Sequence, residues 1–84
     1  MTLYEPFTIA LNEEFDHIIK EVRGRAAEMG FSFRGNVQSG ELEGKGISAK
    51  YSVSGNEVTI TIHTLPIFHS SEKAEKKIRK AFES

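Results

Sequence analysis

The chain contains no cysteine. That excludes a disulfide framework and thiolate chemistry, and it fits a reducing, cytoplasmic compartment. Its opening residues, MTLYEPFTIA, lack a basic segment followed by a long apolar one, so no signal peptide is expected. No apolar run approaches the ~20 residues that a membrane-spanning helix needs. Neither sign of charge dominates. The formal net charge is −1, which gives no global attraction to nucleic acid or anionic lipid. There is no internal repeat, and the only locally biased stretch is the glycine-rich segment from Gly35 to Gly46. The 84 residues suit one domain, 1–84. A domain of this size hides only about 60% of its unfolded surface, so each large apolar residue matters to the core.

What is present is organised around Gly46 to Leu65, GISAKYSVSGNEVTITIHTL. Two alternating runs flank Gly55-Asn56. Glycine at the first central position of a two-residue loop suits a primed turn, because it takes positive φ without strain. That turn sets Val53 opposite Val58, Tyr51 opposite Ile60 and Ala49 opposite Ile62. On the other face it sets Ser52 against Thr59, Lys50 against Thr61 and Ser48 against His63. A slip of one residue would turn the apolar set outward, so the register is well specified. One face becomes a core wall, and the other is open or covered by a partner.

Elsewhere, Phe7, Ile9 and Leu11 alternate with Thr8 and Ala10 after Pro6, as in a short half-buried strand, while Met1 to Glu5 should fray. Asn12 is the expected N-cap of a first helix, with Glu13 and Glu14 in its first turn. Phe15, Ile18, Ile19, Val22, Ala26 and Met29 form its apolar stripe, and Gly30 ends it. Gly24 within it suggests a close helix–sheet crossing. Phe31 and Phe33 open another strand. Gly35-Asn36 and Ser39-Gly40 are turn signals, and Val37 to Lys45 reads as either a hairpin extension or a mobile loop. Gly44 and Gly46 suggest a bulge or bend. A last helix starts at Pro66 or near Ser70 and Ser71. Ile67, Ser71, Ala74, Ile78, Ala81 and Phe82 share one of its faces. Glu72 with Lys76 and Glu75 with Arg79 have the spacing of helical ion pairs. The expected fold is α+β, in the order β-α-β-β-β-α, an antiparallel sheet with two helices packed on one face.

Residues that carry chemistry are sparse. His17, His63 and His69 show no metal-ligand spacing, and no serine sits in a G-x-S-x-G elbow. Glu41 and Glu43 share a face if extended, but they lie in a glycine-rich stretch that suits solvated charge. Gly44-Lys45-Gly46 lacks the rest of a phosphate-binding loop. Tyr51 would serve as a base-stacking platform only if it faced outward, and its register turns it inward. No catalytic residue, metal or cofactor is expected. The candidate interaction surface is an exposed sheet face or edge, with Lys50, Thr59, Thr61 and His63 as the face residues, for a protein partner, self-association or a granule surface. Lys73, Lys76, Lys77 and Lys80 are the alternative nucleic-acid contacts. Acids interleaved with them in the sequence weigh against that use.

Several short features together resemble a bacterial family, the small polyhydroxyalkanoate-system (polyhydroxyalkanoic acid) proteins. These are the opening strand and helix, Phe31-Ser32-Phe33-Arg34-Gly35-Asn36, Gly44-Lys45-Gly46, the Leu65-Pro66 break and the charged last helix with Ile78 and Phe82. Lys45 stands where that family usually has valine. The resemblance implies a bacterial cytoplasmic accessory protein linked to storage-polymer granules, and it brings no catalytic residues. Ser71-Glu72-Lys73-Ala74-Glu75-Lys76-Lys77 also looks like the basic helix start of double-stranded-RNA-binding domains, whose order is α-β-β-β-α. Glu72 and Glu75 interrupt its lysines, and the hairpin loop lacks that family's Gly-Pro-x-His stretch.

Overall fold

The computed structural model describes residues 5–66 and 70–83. Seven elements follow in chain order: β1 (Phe7–Ala10), α1 (Phe15–Glu28), β2 (Ser32–Gly35), β3 (Ser39–Gly44), β4 (Ile47–Ser54), β5 (Glu57–Thr64) and α2 (Ser71–Phe82). The five strands form one antiparallel sheet in the order β1-β5-β4-β3-β2. The α+β class and the antiparallel arrangement match the sequence expectation, with one strand more than the sequence suggested.

The central hairpin has the expected register from Val53–Val58 to Ala49–Ile62. Gly55 takes φ +62° in the turn. The register departs at the far end. Ser48 pairs with Thr64, not with His63, so His63 is the extra residue of a β-bulge on β5.

The added strand is β3. Ser39-Gly40 does not turn the chain. Those residues begin β3, and Leu42 pairs with Phe33 on one side and Ala49 on the other. The turn lies one step earlier. The Asn36 side-chain carbonyl accepts from the Gln38 and Ser39 N–H groups at 2.8 and 3.0 Å. Gly44 and Gly46 mark neither a bulge nor a bend. Gly44 ends β3, and Gly46 is the second residue of a two-residue hairpin turn, Lys45-Gly46, with φ of 54° and 82° at its two positions.

Gly40 is where packing requires glycine. A Cβ there would collide with the Tyr51 ring and the Arg34 carbonyl. The ring lies across this bare backbone, and its hydroxyl donates to the Asn36 carbonyl at 2.7 Å. Tyr51 thus fastens the β2–β3 turn to the sheet centre. Burial raises the pKa of its hydroxyl above the ordinary value, and the nearby Arg23 charge partly opposes that.

The core fills one face of the sheet. Ile9, Leu42, Ile47, Ala49, Tyr51, Val58, Ile60 and Ile62 point into it from the strands. Phe15, Ile18, Val22 and Ala26 enter from α1, and Ala74, Ile78, Ala81 and Phe82 from α2. Phe15, Phe33, Tyr51 and Phe82 form an aromatic quartet in which every pair of ring centroids lies 5.2–6.4 Å apart. Rings at these separations add to the energy of area burial.

The helix ends differ from expectation at one terminus and agree at another. Glu14, not Asn12, is the N-cap of α1, and it makes no side-chain capping bond. Leu11 is held by Asn56, through Leu11 N–H to the Asn56 carbonyl at 2.7 Å and Asn56 Nδ2–H to the Leu11 carbonyl at 3.0 Å. The chain therefore stays with the sheet through Leu11, and Asn12 and Glu13 carry it up to the helix layer. At the other end Gly30 closes α1 as expected. Gly30 N–H bonds to Ala27 O at 3.0 Å and Phe31 N–H to Ala26 O at 2.9 Å, the double bond of a Schellman motif. Gly24 meets no crowding, because a Cβ there would find open space, and the structure offers no packing reason for it. Ser70 caps α2, its hydroxyl accepting from Lys73 N–H at 3.2 Å. Of the rival starts, Pro66 is therefore excluded. Ile67 and His69 lie outside the described residues, as do Met1 to Tyr4.

Arg25 joins the two helices. Its Nε donates to Ala81 O at 2.9 Å, and Nη2 to Phe82 O at 3.3 Å, satisfying carbonyls at the C-terminus of α2.

Candidate functional site

Both helices pack on the apolar face, so the opposite face is bare among the described residues. Alternation along each strand decides what it presents. Register sets its rows. Ser39, Ser52, Thr59 and Thr8 are successive neighbours across four strands, a line of hydroxyls. The next row runs Arg34, Glu41, Lys50, Thr61, in which the charges alternate in sign. A third sets Ser32, Glu43 and Ser48 side by side.

The expected face residues meet here in part. Lys50 is exposed and Thr59 and Thr61 are half-buried in the ladder. His63 is exposed but sits in the β5 bulge, outside the regular ladder. Glu41 and Glu43 belong to the same face through β3, which decides between the hairpin extension and the mobile loop in favour of the extension. Both are exposed, as solvated charge should be.

The two edges of the sheet are closed in the same way. β1 and β2, four residues each, are the outer strands. Each carries one half-buried phenylalanine capped by a helix arginine. Arg79 lies 5.1 Å from the Phe7 ring centroid, and Arg23 lies 5.5 Å from that of Phe33. Arg23 also reaches the Gly35 carbonyl at 3.4 Å. Short strands with charge over them discourage strand addition, which leaves the face rather than the edges as the accessible surface.

The alternative contacts lie on α2. Lys73, Lys76 and Lys80 are exposed and Lys77 is half-buried. Of the two expected helical ion pairs, Glu75–Arg79 forms at 2.9 Å. Glu72 and Lys76 do not come within ion-pair distance. The element order, with a strand before α1 and four between the helices, differs from the α-β-β-β-α order of double-stranded-RNA-binding domains.

One further group was not foreseen. Glu14, Asp16 and His17 bring potential ligand atoms within 4.8 Å of one another at the start of α1. All three are exposed, and acids gather at helix N-termini because the dipole favours them. The Tyr51 hydroxyl, its pKa raised by burial, serves packing through its bond to the Asn36 carbonyl. No described helix is long and apolar enough to cross a membrane.

No protein-family model, curated protein or solved structure matches this chain.

Proposed function

We propose that this chain is a small non-enzymatic binding domain that meets a protein partner, or a second copy of itself, through the bare sheet face. One observation carries the reading. A five-stranded sheet has both helices on one side and, among the described residues, presents on the other rows that mix both signs of charge with hydroxyls. Such a surface can make many hydrogen bonds without needing to be hidden in the free protein.

A bacterial, cytoplasmic accessory role belongs to the same reading and rests on the cysteine-free composition and the family resemblance. A storage-polymer granule is the more specific partner implied by that resemblance. The face itself suits a protein better. Among described residues the only exposed large apolar side chain is Val37, in the β2–β3 turn and away from the face. An apolar polymer surface would call for a contiguous apolar patch.

The test is the double variant Lys50→Glu, His63→Glu. It should lose concentration-dependent association in light scattering, or lose a partner recovered by pull-down, while melting close to the wild type. Unchanged behaviour in both assays would sink the reading.

A further inference from the structure

The order of charges on the bare face makes it complementary to itself. Arg34, Glu41, Lys50 and Thr61 are successive neighbours across β2, β3, β4 and β5. Glu43 lies beside Ser48 in the row on one side, and Ser39 beside Ser52 in the row on the other. Arg34, Glu41, Glu43 and Lys50 are all exposed, and none of the four forms an ion pair with any described residue. Arg34 and Lys50 offset Glu41 and Glu43, so this part of the face has no net charge to draw a partner of one sign.

We infer that the occupant of the sheet face is a second copy of this chain, an inference that rests on the sheet-face reading. Sheets stacked face to face lie about 10 Å apart with their strands nearly aligned, a gap that a glutamate and a lysine span together. A two-fold axis parallel to the strands, between β3 and β4, sets each β3 over the other copy's β4. Glu41 then meets Lys50 of the second copy, and Lys50 meets its Glu41, so one contact is made twice. Arg34 falls opposite Thr61, Glu43 opposite Ser48, and Ser39 opposite Ser52. In these rows no like charges meet. Other axes do worse. One along β3 or β4 opposes Glu41 or Lys50 to its own copy, and one between β2 and β3 overlaps only the two outermost strands. An axis across the strands sets Glu41 against Glu41 or Glu43. Sheet twist carries the outer strands out of register, but the Glu41–Lys50 pairs flank the axis, where twist displaces them least. Four overlapping strands at ~4.8 Å each, over three rows, cover roughly 400 Å² on each copy. Stable complexes cover about 800 Å² per partner, so this dimer is weak and exchanges with free protein.

The experiment is sedimentation of the full chain from about 10 μM to about 1 mM. The wild type should pass from monomer towards dimer over that range. Glu41→Lys and Lys50→Glu each set like charges opposite one another twice. Each variant alone should therefore associate roughly 10-fold more weakly or worse, with unchanged circular dichroism. An equimolar mixture of the two should recover the dimer, because one chain then carries only cations at both positions and the other only anions. A wild type that stays monomeric, a dimer indifferent to either substitution, or a mixture no stronger than its components would overturn the inference. Failure of the sheet-face reading is distinguishable. If the wild type is monomeric but Lys50→Glu with His63→Glu abolishes capture of a different protein, the face binds and the second copy is excluded as its occupant.

Discussion

The two faces of the sheet are built from the same strands and do opposite things. Along β5, Val58, Ile60 and Ile62 are buried while Thr59 and Thr61, between them, reach the other side. The covered face holds the aromatic quartet, both helices and all the close packing. The bare face holds hydroxyls and alternating charge. Substitutions on the first should therefore move stability, and substitutions on the second should move association while leaving stability within about 0.5 kcal/mol. On the proposed reading, the surface that folding does not use is the one left for binding.

The largest effect should come from the quartet. Phe82 is 1% exposed and touches Phe15, Phe33 and Tyr51. Phe82→Ala should cost about 3–5 kcal/mol, a large part of the stability of so small a domain, and urea unfolding would show it. A midpoint shift no larger than that of a surface variant would break the contrast between the faces.

A smaller effect is expected at Tyr51. Removing its hydroxyl in Tyr51→Phe gives up the bond to the Asn36 carbonyl, worth about 1 kcal/mol, and loosens the β2–β3 turn. It should also change the alkaline limb of stability. The folded pKa lies above the ordinary 10.0, so the neutral hydroxyl is favoured in the folded state. That contribution is complete below the unfolded pKa and disappears as pH rises through the folded value. Melting followed upward from pH 10 should fall more shallowly in the variant than in the wild type.

The smallest effect has the opposite sign. Gly24 lies exposed in α1 with open space where a Cβ would go. Gly24→Ala should stabilise by up to about 1 kcal/mol and raise the melting temperature by a few degrees. A destabilised variant would mean that Gly24 has a role the covered face does not reveal.

Which parts were legible in the sequence follows from the range of the interactions. The hairpin register is local, since strict alternation around one glycine-containing turn determines it, and every pair from Val53–Val58 to Ala49–Ile62 formed. β3 was obscured because Ser39-Gly40 looks like a turn. Gly40 is there to let Tyr51 cross the backbone, a contact between residues far apart in the chain. The cap of α1 is displaced from Asn12 for the same reason, since Asn56, remote in the chain but beside the end of β1, holds Leu11. The helical pairs of α2 were visible in the spacing, but of the two only Glu75–Arg79 closes, and Arg79 is also drawn toward Glu83 one turn further on. Glu41 and Glu43 joined the bare face only once β3 was known to be a strand.

Methyl relaxation by a soluble paramagnetic probe tests the two-face account most directly. In the free protein at low concentration, the Thr59 and Thr61 methyl signals should be strongly attenuated, while those of Ile60 and Ile62 persist. Attenuated isoleucines, or threonines as well protected as the isoleucines, would contradict it.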